Sequence, residues 1–148
     1  METLVRRGTE ADAHSAIDTI RRSISELCVA DYEDDPQRLT NWLRNKTEAT
    51  WMAWIDRPDA AVFVAELKDR IAGVGMVDQL GNVLLNYVHP DARFCGVSKA
   101  VLAALESEAR MHHAQRCLLE STKTARAFYE RRGYQPLAGS ATHLWKAL

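Results

Sequence analysis

No run in the sequence approaches the roughly 18 consecutive apolar residues that a membrane-spanning helix needs. The N-terminal stretch METLVRRGTEADAHSAID is charged throughout and lacks the apolar segment of a secretory leader. A soluble, cytoplasmic protein with no membrane partner is expected. Cysteine is scarce: Cys28, Cys95 and Cys117 are odd in number and without C-x-x-C spacing, so they indicate neither a disulfide framework nor a zinc site. They read as free thiols, and no metal is expected.

An excess of charge is also absent. A formal net charge of -1 and a pI near 6.5 argue against a chain that coats nucleic acid or an anionic membrane with positive charge. Arg6-Arg7, Arg21-Arg22 and Arg131-Arg132 are pairs among acidic residues rather than a cluster, so no nucleic-acid partner is expected. His112-His113, at a helix end, reads as a favourable contact with the helix dipole rather than a metal pair. Neither G-x-x-x-x-G-K-[ST] nor G-x-G-x-x-G occurs, which removes the usual nucleoside triphosphate and NAD loops.

There is no internal repeat, no low-complexity tract and no linker rich in proline, glycine or serine, so residues 1–148 read as a single domain. With 47% hydrophobic residues the chain can bury one sizeable core. Leu4-Val5 is a short strand candidate, and Thr9 with Asp12 resembles a helix-capping arrangement. Ala13, Ile17, Ile20, Ile24 and Leu27 recur at three- and four-residue spacing, which predicts a helix ending near Cys28. An acidic loop follows, then two short helices starting at Asp35-Pro36 and near Thr47.

AAVFVAEL, RIAGVGMVD and NVLLNYV, separated by tight turns, predict an antiparallel meander. Beyond it come a helix marked by Val97, Val101, Leu102, Leu105 and Ala109, a strand QRCLLEST, a helix TARAFYERR and a terminal hairpin. The class is α+β.

The stretch YVHPDARFCGVSKAVLAALESEAR runs from a strand through a compact turn into a helix that starts at Gly96. Free N–H groups at a helix start favour an anion, glycine allows close approach or a positive φ, and Arg93 offers a cationic fork suited to pyrophosphate. On these residues alone, a plain turn before an amphipathic helix fits equally well.

VHPDARFCGVSKAVLAALE resembles the acetyl-CoA-binding motif of the GNAT superfamily of N-acetyltransferases, Q/R-x-x-G-x-G/A, with Arg93, Gly96 and Ser98 at its defining positions. TKTARAFYERRGY resembles the family's second motif through Ala125, Phe128, Tyr129, Gly133 and Tyr134. Together with the element order, the resemblance runs from about residue 3 to the end. Ser98 stands where the family usually has Gly or Ala, Thr122 where it often has Asn, and Phe94 and Cys95 replace small or basic residues.

The resemblance implies a mixed, mostly antiparallel twisted sheet of about seven strands flanked by four helices. It implies acetyl-CoA as donor, with coenzyme A as product, and often a homodimer. It also implies a fourth strand that bulges and splays from the fifth, so that Tyr87, Val88 and His89 hold the thioester oxygen and pantetheine arm. Arg93, Phe94, Cys95, Gly96, Val97, Ser98 and Lys99 would form the pyrophosphate turn, with Thr122, Ala125 and Phe128 beside it. Tyr129 takes the place of the tyrosine that protonates the leaving thiolate. A phenol of pKa near 10 can serve a thiol of about 8.5 when positioned and polarised, although a tyrosine on such a helix is ordinarily a packing residue.

The general base is open among Glu66, Asp78, Asn86, His89 and Glu120, with Glu120 preferred. For the acceptor, Asp31 and Glu33 with Trp42 and Asn86 suggest a site for a small cationic amine. The same acidic residues also suit a helix start on a surface, and a peptide or protein N-terminus shares the chemistry. A non-catalytic acetyl-CoA sensor is the remaining class.

Overall fold

The computed structural model describes residues 2–148. Strand β1 (Leu4–Arg7) leads through a short turn to α1 (Ala13–Leu27), and α2 (Val29–Tyr32), α3 (Pro36–Leu43) and α4 (Glu48–Ile55) follow. The meander is β2 (Ala60–Leu67), β3 (Arg70–Asp78) and β4 (Asn82–Val88). Then come α5 (Val97–Met111), β5 (Arg116–Glu120), α6 (Arg126–Arg131), β6 (Gln135–Pro136) and β7 (His143–Ala147). The seven strands form one sheet in the order β1-β2-β3-β4-β5-β7-β6, antiparallel everywhere except for the parallel pair β4–β5.

Local chemistry accounts for the boundaries. Asp12 accepts from the Thr9 N–H at 2.8 Å, Asp35 caps α3 through the Gln37 N–H at 2.9 Å, and Thr47 caps α4 through the Thr50 N–H at 3.2 Å. Lys68 and Asp69 both have positive φ, as a two-residue hairpin of this twist requires. Among the described residues the helices number six rather than four, because the segment between α1 and β2 breaks into three short pieces. The stretch expected as an acidic loop contains α2, which ends where Glu33 and Asp34 turn to positive φ.

The sheet is covered on both faces. On one, Ile17, Ile20 and Ile24 of α1 pack with Trp51, Val64, Val74 and Met76; on the other, Val101, Leu102 and Leu105 of α5 pack with Leu119 and Leu144. Each fully buried aliphatic side chain contributes roughly 1.5–3 kcal/mol. α5 sits close because Gly73 and Gly75 face it: a Cβ on Gly75 would lie 2.4 Å from Val101 Cγ1. Among the described residues no helix is long and apolar enough to cross a membrane.

Candidate active site

The site begins with an irregularity in β4. Met76 of β3 pairs with Leu85 and Val77 with Val83, which leaves Leu84 as an extra residue, a β-bulge. On its other side β4 pairs with β5 only at Asn82–Leu118 and Val83–Leu119. Beyond those pairs the strands part.

Backbone alternation then decides which groups face the gap. His89 N–H is bonded to Ala72 O of β3 at 2.7 Å, so Tyr87 also turns its backbone toward β3, while Asn86 and Val88 turn theirs toward the departed β5. A cavity of about 600 Å³ lies along this open strand and reaches the Arg93–Lys99 turn, Thr122 and α6. A more open hollow of about 650 Å³ lies beside it, bounded by Asp31, Trp42 and Tyr87. Leu84, Tyr87, Glu120 and Thr122 border both.

The turn is built around backbone conformation. Phe94 and Gly96 have φ of 65° and 79°, and the first bond of α5 runs from Ala100 N–H to Gly96 O at 3.1 Å. The N–H groups of Gly96, Val97, Ser98 and Lys99 are thus the free donors of a helix start. A Cβ on Gly96 would meet nothing within 4 Å, so glycine serves the left-handed φ here rather than tight packing. Among the described residues Arg93 has no carboxylate partner; its guanidinium lies 4.7 Å from the ring centroid of Phe94, which is 91% exposed.

Tyr87, Val88, Phe94, Val97, Ser98 and Lys99 border the cavity along β4, as do Thr122, Ala125 and Phe128. Val97 is 1% exposed and offers only backbone, its side chain being core. His89 corrects the expectation. It does not border the cavity: its N–H is spent on Ala72, Nδ1 accepts from the Asp91 N–H at 3.1 Å, and Nε2 faces Arg22 Nη1 at 3.2 Å. The ring braces the turn against α1. Cys95 also stays outside, with Sγ 3.6 Å from Arg93 O.

Tyr129, on α6, is buried at the cavity wall, edge-on to Phe128 and Tyr134. Its hydroxyl accepts from Asn86 Nδ2 at 3.2 Å. Burial pushes the phenol up to about 12, and the Asn86 bond opposes that rise. Tyr87 is likewise pushed up to about 12 by burial, opposed by the Trp42 indole.

The carboxylates separate clearly. Glu66 is ion-paired to Arg6 at 2.9 Å, and Asp78 holds the β3–β4 turn by accepting from the N–H groups of Leu80 and Asn82, each at 2.9 Å. Glu120 is exposed, borders both cavities and has no ion pair among the described residues. Asp31 accepts from the Lys123 N–H and, at 2.7 Å, from the Thr124 hydroxyl. Glu33 turns outward to Arg38 at 3.1 Å and reaches neither cavity, so the structure removes it from the acceptor set.

Residues 28–143 match the family model described as an acetyltransferase (GNAT) domain. The chain belongs to the GNAT acetyltransferase family. Its fold is similar to that of PaiA N-acetyltransferase from Thermoplasma acidophilum in complex with coenzyme A, with a TM-score of 0.89 at 16% identity over 100% of both chains. It is similar as well to a GCN5-related N-acetyltransferase from Rhodopseudomonas palustris, with a TM-score of 0.87 at 22% identity over 100% of this chain and 97% of that one. For Ard1 from Thermoplasma volcanium the TM-score is 0.75 at 16% identity, over 100% and 99% of the chains. No curated protein matches the chain in sequence.

GNAT membership makes this an acetyltransferase domain that uses acetyl-CoA. The residues present fit that donor: free N–H groups at the α5 start and an unpaired Arg93 suit a pyrophosphate, and the open edge of β4 suits an amide-bearing arm. One residue of the cavity wall is missing from the expected set. Arg132 borders the cavity with its guanidinium 5.7 Å from the Phe128 ring centroid; the four-residue spacing from Phe128 was the available signal. The Leu84 bulge is the irregularity that the resemblance implies for the fourth strand, although NVLLNYV by itself reads as an unbroken strand.

Proposed function

We propose that this GNAT domain transfers the acetyl group of acetyl-CoA to a primary amine, preferentially a small cationic one, by direct attack with Tyr129 as general acid. The observation that carries the reading is the position of the Tyr129 hydroxyl, buried in the wall of the cavity that opens where β4 and β5 part. Acetyl-CoA supplies an activated acyl carbon. The chain supplies free N–H groups for its phosphates, backbone groups of Asn86 and Val88 toward the gap, and a phenol for the departing sulfur. Glu120 is the unpaired carboxylate bordering both cavities and is assigned as the base, directly or through water.

Asp31, Glu120, Trp42 and Tyr87 give the second hollow carboxylates and aromatic faces, which favours a cationic acceptor. The openness of that hollow, which continues to Thr142 and His143 on the β7 side, supports a peptide N-terminus as the second reading. Three unpaired thiols suit a reducing cytoplasm, and a homodimer belongs to the same proposal, with sedimentation analysis as its check.

The test is coenzyme A release from acetyl-CoA with polyamines, amino acids, aminoglycosides and short peptides, for wild type beside Tyr129→Phe. Amine-dependent release that falls about 100-fold in the variant is expected for loss of a general acid. Binding of acetyl-CoA without turnover of any amine would instead favour a sensor module.

A further inference from the structure

Asn86 is out of place by the logic of its strand. Val83 and Val88 of β4 pack into the α5-side core, and Asn86 faces the same helices, opposite Gly75. A hydrocarbon side chain would satisfy that packing, yet a carboxamide stands there, with Oδ1 buried and without a hydrogen-bond partner among the described residues. Its Nδ2 is 3.2 Å from the Tyr129 hydroxyl, and among the described residues Tyr129 donates its own hydrogen to no protein acceptor.

We propose that Asn86 is the positioning residue of the proton donor: by donating Nδ2–H to the Tyr129 oxygen it turns the phenolic hydrogen toward the gap between β4 and β5 and stabilises the phenolate left behind. The proposal rests on Tyr129 being the general acid. In the step, the Tyr129 O–H bond breaks as an S–H bond forms on the departing thiolate. The phenolate regains its proton from solvent, and the proton shed by the acetylated amine leaves through Glu120 or water. A donor to the phenol oxygen favours the ionised form and opposes the effect of burial. The reverse arrangement, with Tyr129 donating to Oδ1, would consume the hydrogen the reaction needs, and it predicts the opposite sign.

The deciding experiment requires no acceptor amine. A fluorinated tyrosine placed at position 129 lowers the intrinsic phenol pKa, so that its titration can be followed by fluorine NMR while the fold persists, in otherwise wild-type protein and in Asn86→Leu. The variant is expected to titrate about one pH unit higher, a roughly tenfold weaker acid. A midpoint that is unchanged or lower overturns the proposal. Asn86→Val, matching its strand neighbours, repeats the comparison should the leucine variant not fold.

Coenzyme A release separates this proposal from the reading beneath it. Asn86→Leu is expected to reduce kcat about tenfold in wild type, with KM for acetyl-CoA held, and to have no effect in Tyr129→Phe. Full activity in Tyr129→Phe alone would remove the tyrosine as acid. An impaired Tyr129→Phe with additive loss from Asn86→Leu would remove Asn86 only.

Discussion

Asp31 and Thr124 are joined across the mouth of the site: the Asp31 carboxylate accepts from the Thr124 hydroxyl at 2.7 Å and from the neighbouring Lys123 N–H. The bond ties α2 to the segment that starts α6, the helix carrying Tyr129. An aspartate read as an acceptor-binding charge is therefore also a brace.

Asp31→Ala removes both hydrogen bonds and is expected to lower stability by about 1–3 kcal/mol, seen in urea denaturation. If the brace dominates, kcat falls for charged and neutral amines alike; a rise in KM confined to cationic amines marks Asp31 as a direct contact. Glu33→Gln, which loses a surface pair with Arg38, should change stability by less than about 1 kcal/mol and leave kinetics intact.

Gly96→Ala places a Cβ in open space but at φ 79°, so a loss of about 1–2 kcal/mol is expected from conformation alone. Calorimetry should also show weaker coenzyme A binding. Phe94→Gly is the converse: an exposed aromatic at φ 65° is replaced by the residue that prefers that region, and the melting temperature should rise.

Gly75→Ala tests the packing of α5. A Cβ 2.4 Å from Val101 Cγ1 forces the helix to shift, with an expected loss of about 1–3 kcal/mol. Because the same helix presents its N-terminus to the donor, KM for acetyl-CoA should rise as well.

Tyr87 and Tyr129 predict alkaline sensitivity. Burial raises both phenols from an ordinary value near 10 to about 12. The unfolded chain therefore releases these protons first, and their contribution to stability is fully present below pH 10 and lost as pH rises toward 12. Urea midpoints at alkaline pH should fall less steeply in Tyr129→Phe than in wild type. Over the neutral range Tyr129 stays protonated, so kcat/KM should rise with pH as the amine loses its proton.

What was legible beforehand is local in origin. The turn from Arg93 to Gly96, the caps at Asp35 and Thr47, the meander and the α6 helix all follow from short-range spacing. What was hidden depends on register and on partners distant in sequence. His89 sits beside Val88 in the chain, yet its N–H is taken by Ala72 and its ring faces Arg22, and nothing in VHPD indicates either. The bond from Asn86 to Tyr129 has no sequence signal, because the two are 43 residues apart and meet only through the packing of α6. Glu33 and Asp31 look equivalent in CVADYEDDP, but two positive-φ residues send one outward and leave the other facing the site.

An unpaired strand edge is ordinarily an invitation to aggregation, because it offers any passing chain a row of hydrogen-bonding groups. Here the bulge at Leu84 and the early parting of β4 from β5 create such an edge inside the sheet, flanked by α5 and α6 rather than at its rim. A slender amide-containing ligand can lie along it, and the flanking helices hinder the approach of a second protein's strand. The fold thereby gains the binding chemistry of an exposed edge at a place set back from the rim of the sheet.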